Sequence, residues 1–169
     1  NDIIAFLGSR GCVIAGHQLY QALDGPVIGI QYNPARNRLL LWTKNAIGVI
    51  DLSLDENDAK PGERVPGIKW VFDKGRDIRQ CFWAYGASHV LFRDGNNISI
   101  LEPVPQGPAH VEYVTAVREN TSVLYAESKG MLYYLGKDDG KLYALDIIPR
   151  AEIGLSAFMD KKDTAKGNR

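Results

Sequence analysis

The chain has 169 residues, 45% of them hydrophobic and 24% charged, which supplies enough apolar material for a substantial core and excludes disorder over the whole length. Its 20 lysines and arginines are balanced by 20 aspartates and glutamates, so no net charge draws it to nucleic acid or to an anionic membrane. No apolar run approaches the roughly 20 residues that span a bilayer, and Asn1-Asp2-Ile3-Ile4 does not have the basic and apolar regions of a signal peptide.

In chain order the sequence reads almost entirely as strands. Residues 1–25 form an incomplete unit, with short apolar runs at Ile3 to Leu7, Gly11 to Ala15 and Gln18 to Leu23 interrupted by glycines. Residues 26–72 follow with period-2 alternation at Val27 to Tyr32, Arg38 to Thr43, Ala46 to Leu52 and Lys69 to Phe72; the charged stretch Ser53 to Pro66 reads as an exposed loop before the last of these. Residues 77–117 carry strands at Ile78 to Trp83, His89 to Arg93 and Asn97 to Leu101, then the proline-rich Pro103 to Pro108. A shorter copy over 121–148 has runs at Ser122 to Ala126, Met131 to Leu135 and Lys141 to Asp146. Asn33-Pro34, Asp94-Gly95 and Asp139-Gly140 supply turns that make successive strands antiparallel hairpins. Residues 151–169 are a tail, with mild helical potential over Ala151 to Phe158 and a polar end over Asp160 to Arg169.

The units repeat. Val27 to Asp51 returns as Ile78 to Glu102 at an offset of 51 residues that holds through three strands and two turns, and Leu145-Asp146 takes the place of Ile50-Asp51 in the third copy. Repetition at this period specifies an array of small sheets, so Ile30, Leu40 and Val49 should match Cys81, Leu91 and Ile100.

Residues able to carry chemistry are sparse. Cys12 and Cys81 lie in apolar runs and read as small buried hydrophobes; a disulfide between them requires their strands to be adjacent. His17, His89 and His110 share no zinc spacing with each other or with the cysteines, so no metal site and no cofactor is expected. Ser88-His89 has no Gly-x-Ser-x-Gly context and reads as a turn serine beside a strand histidine. Lys137-Asp138-Asp139-Gly140 is without the alternating ligands of a calcium loop and reads as a hairpin turn. Trp42, Trp70 and Trp83 sit within alternating strands, where packing accounts for them better than a carbohydrate-stacking surface. Asn97-Ile98-Ser99 and Asn120-Thr121-Ser122 fit the glycosylation triplet and matter only in a secreted protein.

The order of strand, Asn-Pro turn, apolar strand, Asp-Gly turn and strand ending in an acidic residue resembles the WD40-like repeats of bacterial β-propellers, including those of the TolB type and those that accompany PEGA domains. The resemblance covers about residues 26–148, and Gly140-Lys141-Leu142-Tyr143-Ala144-Leu145-Asp146 is similar to the repeat of quinoprotein-like propellers. It implies an all-β fold of consecutive antiparallel blades, about three units of a partial β-propeller. Closed propellers hold about four to eight blades, so the missing blades belong either to a longer protein, of which this chain is a fragment, or to a second copy of the chain. A longer protein would leave room upstream for export or membrane anchoring.

The resemblance also implies a function class and a face. The reading is a non-catalytic binding or scaffold module that recognises a protein or cell-envelope component; the alternative is part of a propeller dehydrogenase or hydrolase whose catalytic groups lie outside this segment. With strands running outward from a central channel, one face gathers Lys74, Arg76 and Asp77 from the loop before a first strand. Connecting turns add Lys44, Asn45, Arg93, Asp94, Asn96 and Lys129 to the same face. Charged groups held on rigid hairpins suit recognition of a polar partner.

Overall fold

The structure is a computed structural model and describes residues 4–8, 10–16, 19–52, 68–103 and 109–147. Among these residues fourteen strands and one 3-10 turn form, all pairing is antiparallel, and no helix is long and apolar enough to cross a membrane. The expected loops at Ser53 to Pro66 and 104–108, and the expected tail at 151–169, lie outside the described residues.

The strands make four sheets. The first holds β1 (Ile4–Gly8), β2 (Gly11–Gly16) and β3 (Leu19–Asp24); the second holds β4 (Val27–Asn33), β5 (Arg38–Thr43), β6 (Ile47–Asp51) and β7 (Lys69–Phe72). The third holds β8 (Ile78–Ala84), β9 (His89–Asp94), β10 (Asn97–Glu102) and β11 (His110–Ala116); the fourth holds β12 (Leu124–Ala126), β13 (Met131–Leu135) and β14 (Leu142–Asp146). Within each sheet, neighbours in sequence are neighbours in space, as short turns between alternating segments require.

Pairing register carries the repeat from sequence into space. Leu40 faces Val49 as Leu91 faces Ile100, and Leu39 faces Ile50 as Val90 faces Leu101, so the offset of 51 survives through three strands. Even the irregularities match, with bulges at Val27/Gly29 and Ile78/Gln80 and again at Ile47/Gly48 and Ile98/Ser99. In the fourth strand Trp70 opposite Gly48 corresponds to Tyr113 opposite Ser99, an offset of 43, because the connection before β11 is shorter. The last sheet follows the same plan: Met131 faces Asp146 as Arg38 faces Asp51.

The first sheet is matched to different strands. Gly8 pairs with Gly11 as Asp94 pairs with Asn97, and the Gly25 N–H donates to the Arg10 carbonyl as that of Val117 donates to Asn96. So β1, β2 and β3 stand where the second, third and fourth strands stand in the other sheets. Among the described residues nothing takes the first-strand place beside β1 or the fourth-strand place beside β14.

The sheets stack face to face in chain order through three apolar junctions. Cys12 and Ile14 meet Leu39, Leu41 and Ile50 between the first and second sheets; Leu40 and Ile47 meet Val90, Phe92 and Leu101 between the second and third. Leu91 and Ile98 meet Tyr125 and Leu132 between the third and fourth. Alternation makes this possible, since successive residues of a strand serve the junctions on its two faces, and each buried Leu or Ile contributes roughly 1.5–3 kcal/mol. Two glutamines stitch the junctions: Gln31 accepts the Trp83 amide at 2.9 Å while its carbonyl takes the indole N–H at 3.3 Å, and Gln80 accepts the Val123 amide at 3.0 Å. Cys12 and Cys81 are both buried and free, in different junctions with the second sheet between them, so the conditional disulfide does not form.

Candidate functional site

The charged rim begins with three short connections that converge at one end of the second and third sheets. Thr43 Oγ1 accepts the N–H groups of Asn45 and Ala46, which fixes the turn after β5. The carbonyls of that turn then accept from the segment before β8, Asn45 from Gly75 at 2.9 Å and Lys44 from Ile78 at 2.8 Å. Asp94, at the turn after β9, accepts the Arg76 N–H at 3.2 Å and the Asp77 N–H at 2.6 Å, and the Asp77 carbonyl accepts the Gly95 N–H at 2.9 Å. Lys44, Asn45, Lys74, Arg76, Asp77, Asp94 and Asn96 are therefore gathered at one end of the stack by backbone hydrogen bonds. Asp77 also holds Arg79 at 2.7 Å and lies 3.9 Å from the Lys44 ammonium.

Two expected members are placed differently. Arg93 is only 2% exposed: its Nε donates to the Gly95 carbonyl at 2.7 Å and a terminal nitrogen donates to the Arg118 carbonyl at 3.3 Å, so it ties two sheets together instead of meeting solvent. Its matched positions are Trp42 and Leu135, which shows that the site is a junction position. Burial, and then the neighbouring Arg79, lowers its pKa from the ordinary value, with Asp77 opposing. Lys129 lies at the other end of the stack, in the 3-10 turn between β12 and β13, because antiparallel parity puts the first-to-second connection opposite the second-to-third. The rim position in the fourth sheet belongs to the turn Gly136 to Lys141, beside Arg118, whose N–H donates to the Leu135 carbonyl.

Sequence reading took Lys137 as part of a hairpin turn and placed neither it nor Arg118 on this rim. The signal was present: the turn after Leu135 occupies the place of Lys44-Asn45 and Gly95-Asn96, lengthened by insertion. Within it Asp139 accepts the Lys141 N–H at 3.0 Å and the Tyr143 hydroxyl at 2.8 Å, the hairpin turn expected of that sequence. These hydrogen bonds lower the Asp139 pKa, backbone donor first, and raise that of Tyr143.

At the opposite end a cavity of about 240 Å³ is lined by Tyr85, His89, Ile100, Glu102, His110 and Glu112. Glu102 pairs with His110 across β10 and β11, and Tyr85 meets His89 edge to face at 4.9 Å. Ser88 Oγ lies 2.9 Å from the Tyr85 carbonyl and 2.8 Å from His89 Nδ1. The hydroxyl donates to the carbonyl or to Nδ1 according to the imidazole tautomer, and the carbonyl also accepts the Ser88 N–H at 3.3 Å. No group of three or more metal-ligating side chains occurs among the described residues. Sequence spacing gave no hint of this cavity, which exists only once β10 and β11 pair.

No family model matches the chain, and no curated protein matches it.

Proposed function

We propose that the chain is a partial β-propeller of the WD40-like bacterial type, a non-catalytic module that binds a protein or cell-envelope component through the rim of Lys44, Lys74 and Arg76. The observation that carries this reading is the rim itself. Segments from two repeats are held by backbone hydrogen bonds to Asn45, Lys44 and Asp94, so three exposed cations are presented by a framework whose ordering cost has already been met. The matched registers of consecutive four-stranded sheets support the propeller assignment.

In-cell photo-cross-linking tests it. A photoreactive residue in place of Lys74 in the full-length protein gives a discrete protein or envelope adduct, and Lys44→Glu with Arg76→Glu removes that adduct while circular dichroism stays unchanged. Adducts that persist after charge reversal, or that form equally from the opposite end at Arg36, contradict the reading.

A further inference from the structure

The two ends of the stack are the two halves of a junction the chain already makes three times. At each internal junction one sheet offers the second- and third-strand residues Leu40, Trp42, Ile47 and Val49, or their matches Leu91, Arg93, Ile98 and Ile100. The next sheet receives them on the opposite face, with Val90, Phe92 and Leu101 or, in the second sheet, Leu39, Leu41 and Ile50.

Pairing register carries both sets to the outer faces. In the fourth sheet the offering positions are Tyr133, Leu135, Leu142 and Ala144, all on the side away from the third sheet. In the first sheet the receiving positions are Ile4, Phe6 and Ala15, on the side away from the second sheet. The internal matches Leu40, Ile47, Leu91 and Ile98 are buried, with Trp42, Val49 and Ile100 partly so, whereas Ile4, Phe6, Leu142 and Ala144 at the ends are exposed and Ala15, Tyr133 and Leu135 half-buried: Ile98 is 0% and Leu142 72% exposed. Scattered apolar residues at a surface need no explanation, but two faces that each reproduce one half of a repeated junction do.

We infer that a second copy of this chain covers both faces, with the fourth sheet of each copy stacking on the first sheet of the other. Two copies joined in this way satisfy both junctions at once and supply eight sheets, within the range of about four to eight that closed rings hold, whereas a heterologous contact that does not close would give filaments, which overturns the inference. The inference rests on the stacking of the sheets and not on the rim, so its failure would leave the Lys74 adducts untouched.

Light scattering coupled to size exclusion on the 169-residue chain, with Phe6→Asp and Leu142→Asp made separately, tests it. Both side chains are open in a single copy, so circular dichroism should show either variant folded. The unsubstituted chain should run as a dimer. Each variant alone should be monomeric, because an uncompensated carboxylate at each junction weakens association at least about 100-fold. Mixing the two variants should restore a one-to-one dimer, since one of its two junctions then carries no substitution. A monomeric unsubstituted chain at every concentration overturns the inference, as does a dimer that only one substitution breaks, or a mixture that stays monomeric.

Discussion

The carboxylate of Asp94 lies 2.6 Å from the backbone nitrogen of Asp77, and this contact holds the segment before β8 against the turn after β9. Asp94→Ala leaves the Arg76 and Asp77 N–H groups without their acceptor and should cost about 1–2 kcal/mol. Asp94→Asn keeps one oxygen and should cost about half as much. Urea unfolding of both variants checks the order, and an unchanged midpoint for Asp94→Ala would show that the contact is not formed in solution.

Arg93 gives a sharper comparison, because its matched positions are apolar. Arg93→Lys keeps a buried charge but cannot reach the Gly95 and Arg118 carbonyls together, so it should cost about 2–3 kcal/mol. Arg93→Leu removes the charge and adds apolar burial, and should cost less than about 1 kcal/mol. Thermal melts that rank lysine above leucine would mean the guanidinium is solvated.

Gly29 faces Trp42 across β4 and β5, and the Trp42 ring lies where a Cβ on Gly29 would stand. Gly29→Ala therefore displaces the ring and should destabilise by about 1–3 kcal/mol. Trp42→Leu makes room, so the double variant should recover part of the loss. Strict additivity in the double-mutant cycle would rule out the contact.

Tyr125 is 8% exposed, and burial first, then Tyr85 and Glu127, pushes its pKa up to about 12 from 10.0. The folded state holds this proton more tightly than the unfolded state. Its stabilising contribution is thus fully present below about pH 10 and is lost as pH rises through about 12. Tyr125→Phe cannot ionise, so its alkaline unfolding midpoint should move to higher pH. A midpoint that does not move would assign alkaline unfolding to other tyrosines.

Much of the fold was legible because apolar alternation and turn residues repeat together. Leu40 and Val49 return as Leu91 and Ile100, and pairing follows once the turns are short. The first sheet was legible as an incomplete unit, but not which strands it holds; that depends on the hydrogen bond of Gly25 to Arg10, a contact with no sequence signature. Arg93 misled because arginine beside Asp94-Gly95 reads as part of a solvated turn, while the second of the two carbonyls it binds lies 25 residues away. Lys129 misled because the third copy is short, and an insertion after Leu135 hid which of its turns is which. The Tyr85, Glu102 and His110 cavity could not be read at all, since cross-strand pairing creates it.

The stacking of the second sheet against the third is reported by the Trp83 amide and indole N–H groups, because Gln31 binds both, the amide through its side chain and the indole through its carbonyl. Hydrogen exchange followed by NMR measures them one proton at a time. Both protons should exchange slowly, with cross-peaks from the indole N–H to Gln31, and Gln31→Ala should accelerate the amide selectively, because the indole N–H binds the Gln31 backbone carbonyl that alanine keeps. Fast exchange of both protons in the unsubstituted chain, with no cross-peak between Trp83 and Gln31, would contradict this stacking.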